Sequence, residues 1–266
     1  MAFEVFKQTI KDKYKGAILA SALLFLYVFW MATFYPAMKD SMGMYDQMLE
    51  NPTLKAFLGS EIAGMSSFTG FITIELFSYI GLIIGAYAAF LVASFIAGEI
   101  EQKSSELMLS LPVSRENIIL SRFAVIVPIA VIVSVAMLLA VYAGAVFIGE
   151  PVEIIWFAYA MVFIGAFMLA VGSGALLLSA LMSDGKKAAF SAIGILLAMF
   201  LVENIGSMIT SIDWARKLSL YHYAKVTTIV LNHDVNWMNL GVLLAATVVF
   251  LVLAVIAFRR RDINVS

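Results

Sequence analysis

The chain has 266 residues, 63% hydrophobic and only 13% charged; soluble domains have roughly 45–50% and 25%, so most of this chain belongs in lipid. A net charge of −1 gives no general attraction to nucleic acid or to an acidic substrate, and the absence of Cys excludes disulfides, thiolate nucleophiles and thiolate metal sites.

In chain order, Phe3, Phe6, Ile10 and Tyr14 recur at helical spacing with Lys7, Lys11 and Lys15 elsewhere on the helix. This pattern predicts an amphipathic helix lying in the membrane interface, its Lys residues near anionic head groups. The apolar run 16–38 is longer than a signal-peptide core and long enough to span. Five more runs qualify at 72–97, 117–149, 154–182, 188–209 and 239–258, giving six spans in one membrane domain, 1–266.

Three segments on one side differ in character. In 39–71, Pro52 suits the start of a short helix over TLKAFLG. Residues 150–153 read as a tight acidic turn. The segment 210–238 is too apolar for a solvated loop and reads either as a re-entrant piece or as a packed helix. Of the 17 Lys and Arg residues, twelve fall on the side of the termini and five on the other, which predicts cytoplasmic termini.

Between spans two and three, 98–117 reads GEIEQKSSELMLSLPVSREN. Charges such as Glu99, Glu101, Lys103, Glu106, Arg115 and Glu116 each cost roughly 2.5–3.5 kcal/mol at the centre of a bilayer, so the segment lies outside it. Ile100, Leu107 and Leu111 keep near-helical spacing, and the second span is expected to continue as a helix past the membrane edge. Pro112 ends that helix, and Ser114 caps a new one with Glu116 in its first turn. A short amphipathic helix and a corner result, with an apolar stripe to offer a soluble partner.

Glu101, Glu106, Leu107, Leu109, Pro112, Val113, Ser114, Arg115, Ile118 and Arg122 are similar to the pattern E-x-G-T-x-E-x-L-L-x-x-P-V-S-R-x-x-I of ABC-2 type transporter permeases. The departures are Ser104-Ser105 at Gly-Thr and Met108. NPTLKAFLG, LSLYHYAKV with NHDVNW, and the ending FRRRDI also resemble that family, so the likeness covers most of the chain. It implies an all-α permease subunit of an exporter that pairs with a second copy or a related permease and with two cytosolic ATP-binding subunits. ATP and Mg would be held by the partner. It further implies that 98–117 docks on the ATPase, with Glu99, Glu101, Glu106 and Arg115 making charged contacts and Leu107, Leu109 and Pro112 filling a groove. The chain's only Gly-Lys, Gly185-Lys186, is followed by Lys187, and Ala180 stands where a phosphate-binding loop needs Gly.

Glu75 and Glu203 are carboxylates within predicted spans and hence candidates for a role in transport; near the outer end they can also reach water or Arg216. Gly81, Gly85, Ala89, Ala93 and Ala97 form a four-residue stripe that serves close helix packing, either static or along a moving interface. His222 and His233 read as loop residues. Gly172-Ser173-Gly174 resembles a serine-protease loop without a His on any span. An ion-gradient transporter would need ligands near the bilayer middle, and a membrane scaffold is the other alternative. The transported substrate is not legible.

Overall fold

The computed structural model describes residues 2–49, 67–98 and 114–260. Among them the regular structure is all helical, as expected where backbone polar groups must be satisfied within each span. The long helices are α1 (Ala2–Leu49), α3 (Phe77–Ala93), α5 (Ile126–Ile148), α6 (Ile154–Leu181), α7 (Gly185–Met208) and α10 (Trp237–Arg260). Short pieces complete the fold: α2 (Phe68–Phe71), α4 (Arg115–Ala124), α8 (Asp213–Arg216) and α9 (Val226–Asn232).

Five continuous stretches are long and apolar enough to cross a membrane, and a sixth forms if the bent pair Phe68–Leu76 and Tyr79–Ala93 is counted as one. The 44° bend in that pair follows a π-helical turn, Ile72–Leu76. A π turn inserts a residue into the i→i−4 ladder and so redirects the helix. The third span is α4 and α5 in succession, with a turn at Val125 between them. Pro128 explains the break: its ring clashes with the carbonyl four residues back, at Ala124, and it has no N–H to give. Val125 N–H accordingly donates to Arg122 at the tighter i−3 distance.

Two sequence expectations change, and one of two open readings gains support. The N-terminal residues are not a separate interfacial helix: α1 is one helix of 48 residues, about 72 Å long at 1.5 Å per residue, against a hydrocarbon core of about 30 Å. Phe6 and Ile10 pack against the protein core while Phe3 and Tyr14 face outward, so protein contacts divide the stripe. The second span is interrupted before its expected end: α3 stops at Ala93, the backbone turns through 94–96 and is helical again at 97–98, and the helix expected beyond lies outside the described residues. The turn separates Ala97 from the helix that carries Gly81, Gly85, Ala89 and Ala93. The segment 210–238 is packed, not re-entrant: α9 has seven residues, and Val226, Ile229 and Val230 are buried. The short helix expected over TLKAFLG lies outside the described residues.

The interior is built around α6, against which α10, α3, α5, α7 and α9 all pack. Phe157, Phe163, Phe167 and Met168 are buried along it. Hydrophobicity does not hold helices together in lipid, so fit must. Gly172 gives room to Ile126, whose Cδ1 would lie 2.4 Å from any Cβ there. Gly144 on α5 faces Ala32 on α1 in the same way, at 2.3 Å. Apolar residues such as Leu23, Leu26, Val131 and Val249 are exposed, as a lipid-facing surface requires. The α5 helix ends on Gly149 at φ 75°, and Glu150 N–H returns to the Ala145 carbonyl.

Candidate functional site

At one end of the bundle, the flanks of the 98–117 segment are fastened to the spans. On the leading flank, the Ser179 hydroxyl of α6 accepts from the N–H groups of Ile96 and Ala97 at 3.2 and 2.9 Å. It donates in turn to the Ala93 carbonyl at 2.6 Å. These are the amides and carbonyl that the ending of α3 leaves unpaired, and one buried hydroxyl satisfies all three. Arg122 of α4, 7% exposed, donates to the Phe95 carbonyl. Lys13 of α1 reaches Ser94 Oγ at 3.4 Å and lies over the Phe95 ring. Three helices thus converge on five residues, 93–97.

The trailing flank begins at Ser114. Its hydroxyl accepts from Asn117 N–H at 3.3 Å and caps α4. Arg115 donates to the Phe258 and Arg259 carbonyls at 3.3 and 3.5 Å and stacks its guanidinium on the Phe258 ring. Arg259 closes an ion pair on Glu116 at 2.9 Å. The C-terminal turn of α10 leaves carbonyls unpaired, and a cation placed there is favoured by the helix dipole. The start of α4 is thereby tied to the end of the last span.

Of the residues assigned to this segment, Arg115 is in this frame, whereas Glu99, Glu101, Glu106, Leu107, Leu109 and Pro112 lie outside the described residues. Sequence reasoning missed Ser179, Arg122 as a buried brace, and the role of the α10 terminus. A lone hydroxyl within an apolar span, seven residues after Gly172, is too common a pattern to signal such a role.

The small residues Gly81, Gly85, Ala89 and Ala93 face inward within the chain. A Cβ on Gly81 would approach Tyr221 at 3.2 Å, and one on Gly85 would meet Leu196 at 2.8 Å. Ala89, Ala93 and Ala97 are fully buried.

The opposite end holds the carboxylates. Glu203 of α7 takes Arg216 of α8 bidentately at one oxygen, from Nη2 at 2.7 Å and Nε at 3.2 Å. Asp213 accepts from Arg216 Nη1 at 2.9 Å. His222 Nδ1 lies 3.3 Å from Glu203 Oε2. The hydrogen bonds that Arg216 donates to the Glu203 carboxylate, with Asp213 adding to them, hold the Arg216 pKa above its ordinary value. Glu75 sits half-buried in the π turn, with no polar partner among the described residues. His233 stacks on Trp156, ring centroids 4.4 Å apart, and is distant in partners from His222. Among the described residues no group of three or more His, Asp or Glu could hold a metal.

Beside the Glu203–Arg216 pair lies a cavity of about 260 Å³ between α3, α6, α7 and the 216–228 stretch. At the same end Lys39 of α1 pairs with Glu150 at 2.6 Å.

The sequence profile of a family described as "ABC-2 family transporter protein" matches residues 4–263. A comparison with curated proteins gives no match.

Proposed function

The chain belongs to the ABC-2 transporter family, and from that premise we propose that it is the membrane permease of an ATP-driven exporter, working as a pair with a second copy or a related permease. The 98–117 segment receives force from cytosolic ATP-binding subunits, which supply ATP and Mg chemistry. The observation that carries this reading is the frame around the segment. Ser179 and Arg122 fasten its leading flank to α6 and α4, and Arg115 fastens its trailing flank to α10. A displacement of the segment therefore acts on several spans at once, where a loosely held loop would absorb it. The end of the bundle that carries this frame also carries the termini and most of the Lys and Arg residues, which supports a cytoplasmic position for both.

Co-purification tests the proposal. A tagged chain, extracted from membranes of its native background, is expected to bring down an ATP-binding subunit. A chain that purifies alone and transports on an ion gradient alone would refute it.

A further inference from the structure

The cavity beside Glu203 is amphipathic in a specific way. Phe77, Ile80 and Phe167 supply an apolar wall, while Asn204, Thr228 and Lys225 supply polar groups. Its charges are unequal. Arg216 is taken up by Glu203 Oε1 through two hydrogen bonds and by Asp213, while Glu203 Oε2 is buried without a hydrogen bond among the described residues, so this pair offers a ligand no free cation. Lys225 is different: it is half-buried, lines the cavity, and has no carboxylate partner among the described residues. Asp234 lines an adjoining hollow of about 130 Å³ that Lys225 shares, without forming an ion pair with it. The Tyr221 hydroxyl, on the same cavity, is also buried without a hydrogen bond among the described residues. A half-buried cation and a buried hydroxyl without partners cost free energy that an acceptor oxygen with negative charge would return.

We infer that this cavity is a binding site for an amphipathic anion: a singly charged oxyanion head such as a carboxylate held by Lys225, on an apolar body laid against Phe77, Ile80 and Phe167. The volume admits a small ligand or the head and first carbons of a longer one, and apolar pockets with a few convergent polar groups are the usual form of such sites. The site lies at the end of the bundle remote from the segment proposed to meet the ATPase. Binding there needs no partner subunit, so its failure and a failure of the ATPase reading are separate results.

The test uses the full chain in lipid nanodiscs with radiolabelled laurate, and with methyl laurate, acetate and inorganic phosphate as competitors. Laurate is expected to bind, and Lys225→Gln to weaken it at least tenfold while Lys225→Arg retains it. Methyl laurate should compete poorly in the unaltered chain. Because Lys225→Gln can disturb folding, a second measurement leaves Lys225 in place. The chain has no Cys, so a single thiol from Ser207→Cys reports on the cavity, and laurate should slow its labelling more than methyl laurate does. Equal binding of acid and ester, or unchanged laurate binding in Lys225→Gln, would overturn the inference. So would acetate or phosphate competing as well as laurate, since that makes the site one for small anions.

Discussion

The Arg216 guanidinium sits on the Glu203 carboxylate, with Nη2 2.7 Å from Oε1, and both side chains are about four-fifths buried. Gly206 makes this possible, because a Cβ there would lie 2.6 Å from Arg216 Cγ. Arg216→Ala would leave the carboxylate without its main partner, at the lower end of the about 3–5 kcal/mol that breaking a buried pair costs, since solvent reaches part of this one. Arg216→Lys should recover only part, lacking the bidentate fork. Thermal unfolding in detergent measures both.

Gly144 and Ala32 set the distance between α5 and α1. Gly144→Ala would place two methyl carbons 2.3 Å apart, an overpacking expected to cost about 1–3 kcal/mol. Adding Ala32→Gly removes one of them and leaves the new Cβ 3.7 Å from the Ala32 Cα, an ordinary contact. The double variant should therefore be more stable than Gly144→Ala alone, a coupling that a thermodynamic cycle on unfolding reads directly.

Ser179→Ala strands the amides of Ile96 and Ala97, at about 1–3 kcal/mol for each buried donor left without a partner. Arg115→Ala releases the trailing flank. In a reconstituted complex with the ATP-binding subunit proposed above, Ser179→Ala, Arg115→Ala and Glu106→Ala should each lower transport per ATP hydrolysed, by more than they lower hydrolysis itself. Parallel loss of both activities would point to assembly instead.

Asp184 caps α7, accepting the Lys187 N–H at 3.0 Å. That hydrogen bond holds its pKa below the ordinary 3.8. Since the folded value is depressed, the stabilisation is complete above 3.8 and is lost as pH falls through the lower folded value. Protection of the Lys187 amide, taken relative to its intrinsic exchange rate at each pH, should be unchanged from neutral pH down to about 5 and fall below the carboxylate range. Asp184→Ala should show fast exchange at every pH, and Asp184→Ser should restore slow exchange at neutral pH.

Membrane orientation is checked with single thiols. Ser105→Cys should be shielded from an impermeant reagent added outside intact cells, and Asp234→Cys, on an exposed loop, should label promptly. The reverse pattern would invert the assignment of sides.

Hydropathy places the six apolar stretches because crossing lipid demands about 20 apolar residues in a row, a property of one segment alone. The Ser114 cap was legible for the same reason: its partners are its own neighbours in sequence. What stayed hidden depends on distant residues. The end of α3 at Ala93 is decided by Ser179, more than 80 residues away. Arg216 was legible as a partner for Glu203, but not the Gly206 that admits the guanidinium where α7 and α8 fold back on each other. The break at Val125 was local and readable from Pro128, but hydropathy passes over a proline without a mark.

Arg115 grips the main chain at both Phe258 and Arg259 and, of their side chains, meets only the Phe258 ring. Every residue type offers the same two oxygens there, so the hydrogen bonds survive a change of side chain at those positions and depend on the last turn of α10 staying wound, while the ring contact at 258 does need an aromatic. Side-chain exchange at 259 forfeits the ion pair to Glu116 and keeps the carbonyl acceptors. A helix breaker introduced one turn earlier would forfeit both. In this corner of the molecule, it is the winding of the last span's final turn that holds the start of α4.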